Sequence, residues 1–405
     1  MPGLNLHGSP QVRSRPSLGT SAVPRRLLRC TLPALTKTAF VDRMHSSIGK
    51  QPSYNRCPRV TPLRAFPMSL LTASGVHSNG SMNTENLISE RFIGDTEGVE
   101  LCYACAGRAS STIYPEVTDP LTSEHFRVVA CSECGLAFTL PRPREIERYY
   151  PSRYRSYHPI VCRLLRALYG WRVKKWVKVN ANASSVLEIG CGPGLMLDAF
   201  RHLGWRVMGI ERNQDAAEIG RRALGLEIVS TPIEKLPSDT RFDLILMFHV
   251  LEHVQNPLEL LRECAARLSP KGVLIISVPN FSSWQSHFAG AKWFHLDVPR
   301  HLTHFTAETL SLLLGRAGLQ PNSISFASLE HDPFGWVESI ISHASGRMNT
   351  LSRFLMSLDK FDLKIALAFL LGSALIVPAL LLAGISWFAK RGAVIEITSA
   401  PIHTP

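Results

Sequence analysis

The sequence predicts an α/β protein organised on a mostly parallel, doubly wound sheet, and three observations carry that prediction. Between residues 186 and 278, short apolar runs alternate with stretches of helical period. Strands joined by helices in this way pack as a parallel sheet with helices on both faces. The first run, with Val186, Leu187 and Ile189, ends in a turn that has glycine at 190, 192 and 194; the segment 195–200 then opens a helix that Gly204 stops. Two late apolar segments, 323–328 and 393–399, read as closing strands, although about 60 residues separate them.

A strand, a glycine turn and a helix N-terminus let backbone N–H groups meet a ligand closely. The spacing Gly190, Gly192, Gly194 is tighter than the G-x-G-x-x-G of dinucleotide-binding folds. Glu188, just before the turn, would repel a pyrophosphate and suits a cation. Glu211 ends the next strand, over 205–210, in a position to hold ribose hydroxyls. Asn213 is placed to cap a helix that Gly225 ends. A short strand over 226–230 follows, then Ile233 and Glu234 ahead of Leu236 and Pro237. The strand 242–248 ends at Phe248 and runs into His249, Glu252 and His253. Asn256 and Pro257 open another helix, a hinge at 270–272 follows, and 273–278 is the next strand.

The run VLEIGCGPG and the acid at Glu211 resemble motif I and the acidic strand end of class I S-adenosylmethionine (SAM) methyltransferases. FDLILMFHVLEHV and PKGVLIISVPN resemble the same family, in the right order over about 100 residues. The resemblance implies a Rossmann-like seven-stranded sheet. It implies SAM as cofactor, held by Glu188, Gly190, Gly192, Gly194, Glu211, Ile233, Glu234 and Phe248. The sulfonium and α-ammonium of SAM are both positive, which suits the two acids. DVPRHLTHFT resembles a segment near the substrate pocket of related bacterial enzymes. His301 in that run is the candidate general base for a hydroxyl acceptor, against a structural role capping the following helix. His249 is a second candidate catalytic residue, on the cofactor side. With Glu252 and His253 it also forms a trio able to hold a divalent ion, as a comparable acid-rich position does in ubiquinone-type O-methyltransferases, although His249 replaces an acid of that pattern.

Upstream, Cys102 and Cys105 precede Cys131 and Cys134 as two C-x-x-C pairs. Each pair presents two thiolates to one ion, so a structural zinc site with no open coordination position is expected. Short β-like runs at 126–130 and 136–140 complete a zinc ribbon over 98–142, and VVACSECGLAFTLPRP resembles the ribbon ahead of many bacterial SAM methyltransferases. The other five of the nine cysteines are scattered, which suits a reducing compartment rather than a disulfide scaffold. Tyr149, Tyr150, Tyr154 and Tyr157 follow in a linker, as groove-lining or packing residues. Residues 160–179 read as a basic amphipathic helix that covers the sheet or lies on a membrane surface. Linker and helix together span 143–180.

The net charge of +12 does not point to nucleic acid. Residues 1–84 carry nine Arg, two Lys and one acid, Asp42, for +10; the remaining 321 residues carry 33 basic and 31 acidic groups, for +2. That first segment reads as a disordered tail, an organellar transit peptide, or an over-called start ahead of Met68 or Met82. The methyltransferase core is expected over 181–330, an insertion over 331–391, and the final strand of the core over 392–401. Within the insertion, 365–389 carries no charge, long enough as a helix at ~1.5 Å per residue to cross a bilayer core of ~30 Å. The flanking strands must return to one sheet, and Gly372, Pro378 and Gly384 interrupt the run, so a re-entrant or bent helical hairpin dipping into one leaflet is expected. The preceding segment resembles the same position in a group of bacterial zinc-ribbon methyltransferases.

These readings converge on a SAM-dependent methyltransferase that associates with membrane lipid through 365–389, its catalytic domain on the cytoplasmic side. The expected reaction is O-methylation of a lipid-linked glycan or amphipathic phenol. The competing readings are an RNA methyltransferase with a zinc ribbon, which the nearly neutral folded part weakens, and a non-catalytic SAM-binding membrane scaffold.

Overall fold

The computed structural model describes residues 102–107, 109–150, 159–179, 183–355 and 359–402. The expectations for 1–84, Tyr154 and Tyr157 lie outside the described residues. Three antiparallel strands come first, β1 (Ala109–Thr118), β2 (His125–Cys131) and β3 (Ala137–Leu140). Helix α1 (Pro159–Val179) leads into the main sheet. The chain then alternates through β4 (Ser185–Ile189), α2 (Leu195–Arg201), β5 (Arg206–Ile210), α3 (Gln214–Leu224), β6 (Ile228–Val229), β7 (Phe242–Phe248), α4 (Pro257–Arg267) and β8 (Leu268–Pro279). After α5 (Trp284–Ala289), β9 (Thr303–His304), α6 (Ala307–Arg316) and β10 (Leu319–Ser325), an insertion contributes α7 (Asp332–Ser345), α8 (Thr350–Leu355) and α9 (Leu363–Phe388) before β11 (Val394–Pro401).

The main sheet has seven strands in the order β10-β11-β8-β7-β4-β5-β6. From β8 to β6 every pair is parallel, and β11 runs antiparallel between β8 and β10. All five residues of β4 are buried, as a central strand covered on both faces requires. Chain order reverses between β4 and β7, and such a switch point opens a crevice outside the carboxyl ends of the strands. Local chemistry sets the helix ends around it. Asn213 accepts a hydrogen bond from the Ala216 N–H, Gly225 ends α3 in the left-handed conformation, and Asn256 caps α4 through the Glu259 N–H. Thr306, not a histidine, caps α6 in a reciprocal pair with Thr309.

Three expected elements differ. The strand expected over 323–328 is β10, because pairing with β11 begins at Leu319 opposite Pro401 and ends at Ser325 opposite Glu396. The residues 270–272 are not a hinge ahead of a strand but an irregularity inside β8, between the pairs Phe242–Leu268 and Leu244–Val273. The uncharged segment forms no bent hairpin: α9 runs as one helix through Pro378. The return to the sheet is made by α7, α8 and α9 together, so the long helix itself need not turn back.

That return is pinned at one residue. The buried Asp332 carboxylate at the start of α7 accepts from Trp387 Nε1 near the end of α9, and from the Ala393 N–H at 3.1 Å just before β11. Burial pushes this carboxyl up to about 7. Along α9 the packing is reversed from that of an ordinary surface helix. Beyond the buried Ile365 in the first turn, only small residues, Ala368, Gly372, Ala379, Ala383 and Ser386, are buried, while Leu370, Val377, Leu381 and Phe388 are 71%, 65%, 63% and 96% exposed. A Cβ at Gly372 would lie 3.2 Å from Leu351 Cδ1 and 3.4 Å from Val337 Cγ1, which explains a small residue at this crossing. The junction between α9 and β11 is tighter still: a Cβ on Gly392 would lie 1.9 Å from the Phe326 carbonyl oxygen. Gly392→Ala is therefore expected to cost at least about 1–3 kcal/mol, as overpacking does. Urea unfolding reads this as a lowered midpoint; an unchanged midpoint would contradict the tight junction.

Candidate functional site

The glycine turn sits at the carboxyl end of β4. Gly190, Gly192 and Gly194 have φ of 73°, 55° and 76°, in the left-handed region that favours glycine. Their surroundings divide the labour. A Cβ at Gly190 would lie 2.4 Å from Val250 Cγ2, and one at Gly194 would lie 2.4 Å from Leu226 Cδ1, so both allow close packing. A Cβ at Gly192 would meet nothing within 4 Å, which leaves that backbone open to a ligand. The Gly192 N–H donates to Glu211 Oε2 at 2.8 Å, and the Asn213 N–H donates to Glu211 Oε1 at 2.8 Å, fixing this carboxylate beside the turn.

Glu188 is buried in the strand, and its Oε2 has no hydrogen-bond partner. Burial first, and then the charge of Glu211, push its carboxyl up to about 8. An orphaned carboxylate oxygen beside an open glycine backbone suits a cation-bearing ligand, and SAM carries two positive groups. The other expected cofactor residues are placed differently. Ile233 is 3% exposed and packs in the core cluster that contains Ile189 and Ile210, while Glu234 next to it is exposed. Phe248, at the end of β7, stacks on Trp176 of α1 at 5.8 Å and lies under the Arg172 guanidinium at 4.8 Å. Arg172 in turn pairs with Glu330 and Glu396. Of the two readings of α1, the structure shows the covering helix: its Val173 is buried and Trp176 also stacks on Phe200 of α2.

Histidines gather beyond the end of β7. His249 has φ of 52°, and its Nδ1 lies 3.3 Å from Glu252 Oε1. Its ring is 4.3 Å from that of His331 and 6.5 Å from that of His295. His301 is buried, with Nδ1 2.9 Å from the His295 carbonyl oxygen. A carbonyl only accepts, so Nδ1 carries the proton and Nε2 the lone pair. That Nε2 lies 4.0 Å from Glu252 Oε1 and 3.9 Å from Asp297 Oδ2. Burial first, and then His253 and His304, hold the His301 imidazole well below its ordinary value, so it is neutral at pH 7. His253 Nδ1 lies 2.8 Å from the Arg300 carbonyl oxygen and 3.0 Å from the Tyr150 hydroxyl. Ligand atoms of Glu252, His253 and His301 lie within 4.8 Å of one another, so the compact trio takes His301 in place of His249. His331 belongs to no sequence motif; it reaches the cluster because it stands at the start of α7, where the insertion leaves the sheet.

The four ribbon cysteines converge. Cys102 Sγ is 3.4 Å from Cys134 Sγ, Cys105 Sγ is 3.4 Å from Cys131 Sγ, and all four sulfurs lie within 4.8 Å of one another. These separations are too long for disulfides, and tetrahedral bonds of about 2.3 Å to one ion set sulfurs roughly 3.8 Å apart. Each pair straddles a tight turn, in which the Ala106 N–H donates to the Cys102 carbonyl and the Gly135 N–H to the Cys131 carbonyl. Burial pushes the Cys102 thiol up and the Cys134 thiol up to about 11.

A family model described as a methyltransferase domain matches residues 157–324. A ubiquinone biosynthesis O-methyltransferase of Cereibacter sphaeroides is 33% identical over 168 residues, which is 38% of this chain and 67% of that protein. A ubiquinone biosynthesis O-methyltransferase of Bradyrhizobium diazoefficiens is 33% identical over 123 residues, 28% of this chain and 48% of that protein, so the chain spans about half the length of that relative. A solved SAM dependent methyltransferase from Archaeoglobus fulgidus is 21% identical, with a TM-score of 0.38, covering 58% of this chain and 93% of that one.

The raised Glu188 carboxyl predicts pH-dependent ligand binding. Its native state holds a proton that the unfolded chain has released, so its contribution to stability falls as pH rises from the usual carboxylate range through about 8. A cationic ligand favours the ionised form and draws that proton off. SAM binding by the wild type is expected to release a proton below about pH 8 and to tighten as pH approaches that value. Calorimetry in buffers of different ionisation enthalpy counts the proton, and Glu188→Gln should abolish the release. Proton-free binding by the wild type at pH 6 would contradict the assignment. With the methyltransferase-domain match over 157–324 and a relative 33% identical over two thirds of its length, the chain belongs to the class I SAM-dependent methyltransferases.

Proposed function

We propose that the protein transfers the methyl group of SAM to a hydroxyl of an amphipathic acceptor, a phenol or a lipid-linked glycan, at a membrane surface. The observation that carries the membrane part is the reversed packing of α9. Small residues pack against α7 and α8, while large apolar side chains face outward along the whole helix. Such a face is costly in water, at about 25 cal/mol per Å² of apolar surface, and is satisfied in a lipid headgroup–acyl boundary. Both ends of the helix are charged, at Lys364 and at Lys390 and Arg391, and Arg353 of α8 donates to the Pro120 carbonyl of the β1–β2 turn. The reading is therefore a helix lying in the plane of one leaflet; the ribbon cysteines, free of disulfides, suit a reducing compartment and so a catalytic domain on the cytoplasmic side.

The choice of a hydroxyl acceptor rests on His301 and on the names of the two O-methyltransferase relatives. SAM bound at the glycine turn supplies an electrophilic methyl group. His301 accepts the acceptor's proton at Nε2, while its Nδ1–H stays on the His295 carbonyl. Glu252 and Asp297 face the imidazolium that results, which offsets the cost of charging a buried ring. The ribbon cysteines hold a structural zinc ion; the four-sulfur cluster supports this reading because four converging thiols, two of them buried, are stabilised together by a cation.

Two measurements test the reading. His301→Ala is expected to lower kcat by roughly a hundredfold or more while SAM binds as before; unchanged methyl transfer would remove His301 from the role of base. Intact protein is expected to sediment with phosphatidylglycerol vesicles and to stay bound in high salt, and the pair Leu370→Glu and Leu381→Glu to abolish binding. Equal sedimentation of that double variant would rule out α9 as the lipid-facing element.

A further inference from the structure

The loop that carries His301 runs directly into a strand of the ribbon sheet. Strand β9 adds to the ribbon sheet in the order β1-β2-β3-β9, with Ala137 opposite His304 and Phe138 opposite Thr303. Past the end of that short pairing, Thr139 continues the grip. Its N–H donates to the Leu302 carbonyl at 3.1 Å, and its hydroxyl donates to the His301 carbonyl at 2.7 Å. The same hydroxyl oxygen lies 2.9 Å from His304 Nε2. The hydroxyl hydrogen is already spent on His301, so His304 donates from Nε2 to the Thr139 oxygen. All three residues are buried, so no water replaces these bonds cheaply.

A second clamp lies one residue earlier. Arg300, 4% exposed, donates from Nη1 to Asp119 Oδ1 at 3.0 Å and to the Tyr149 carbonyl at 3.0 Å, and from Nε to Asp297 Oδ1 at 2.8 Å. Asp119 is fully buried in the β1–β2 turn, where its Oδ2 accepts from the Thr122 N–H and hydroxyl. On the opposite side the Leu302 N–H donates to the Glu252 carbonyl at 2.7 Å. The segment between Asp297 and His304 is thus held between the ribbon and the histidine cluster.

We propose that the ribbon orients the acceptor site: Thr139 is a positioning residue for His301, and the Asp119–Arg300 pair is its second anchor. The orientation follows from geometry. The Thr139 bond fixes the His301 carbonyl, the Arg300 bonds fix the preceding residue, and together they hold the imidazole where Nδ1 meets the His295 carbonyl. The ribbon is then a working part of the site rather than an appended module. The catalytic consequence rests on His301 as the base, whereas the positioning does not.

Imidazole nitrogen NMR on the intact protein tests this, with His301 assigned by loss of its signals in His301→Ala. Wild type is expected to show His301 as the single Nδ1–H tautomer. Thr139→Val should shift those signals toward a tautomer mixture, and Thr139→Ser should restore them. Binding of S-adenosylhomocysteine is expected to stay unchanged. Methyl transfer to a dodecylcatechol in phosphatidylglycerol vesicles should fall in kcat by roughly tenfold to a hundredfold in Thr139→Val, as a small misplacement of a catalytic group does. If Thr139→Val does not bind S-adenosylhomocysteine, Asp119→Asn carries the same readouts. Unmoved His301 signals in a folded variant overturn the proposal. Moved signals with unchanged kcat leave the positioning standing and count against His301 as the base.

Discussion

Strand β11 must lie between β8 and β10, and much of the molecule follows from that constraint. The pairing runs from Val394 opposite Pro279 to Ser399 opposite Leu274 on one side, and over Leu319–Ser325 on the other. The insertion between β10 and β11 therefore leaves and re-enters the same edge of the sheet. Asp332 closes it by joining the first turn of α7 to the last turn of α9 and the start of β11. With both ends tethered, α9 lies along the protein, and only one of its faces finds protein to pack against. The same departure point brings His331 to the histidines beyond β7. One sheet position thus couples the apolar surface to the site.

The site is assembled from elements far apart in sequence. Glu188 lies in β4 and Glu211 directly follows the adjacent parallel strand β5, so the parallel register brings the two acids near one another beside the glycine turn. His249 and Glu252 follow β7 directly. His295, Asp297 and His301 belong to the excursion between α5 and β9, and its far end is clasped by β3 of the ribbon. The ribbon and the segment after it share a buried cluster with that excursion, in which Phe126, Ile146 and Tyr149 pack with Trp293, Leu296 and Leu302. Separating the ribbon from the catalytic domain would expose these side chains together, so the two fold as one unit around the loop.

What was legible in the sequence was local. The glycine turn, the Asn213 cap, the Gly225 stop and the paired cysteines are each specified by residues a few positions apart, and they occur where expected. Elements whose existence depends on distant partners were not legible. Thr303 and His304 form a strand only because β3 presents an open edge to them, more than 160 residues away in sequence. The excess residues at 270–272 look like a turn, yet the β7 ladder resumes beyond them. Pro378 argued for a break in α9. A proline inside a helix removes one hydrogen bond, and packing of Gly372, Ala379 and Ala383 against α7 and α8 holds the helix continuous across it. The histidine cluster was half visible: His249, Glu252, His253 and His301 lie in recognisable runs and Tyr150 was a candidate groove or packing residue, but His331 joins the cluster only through tertiary packing.

The proposed reaction passes a methyl group from SAM to a hydroxyl held at a lipid surface. Its most direct test is to incubate the intact protein with methyl-labelled SAM, giving it in parallel a dodecylcatechol in anionic vesicles, a water-soluble catechol, and total RNA. Label is expected in the organic phase as an aryl methyl ether, matched by S-adenosylhomocysteine release, with the vesicle-borne acceptor strongly preferred over the soluble one. Label appearing in RNA, or equal use of both catechols, would contradict it.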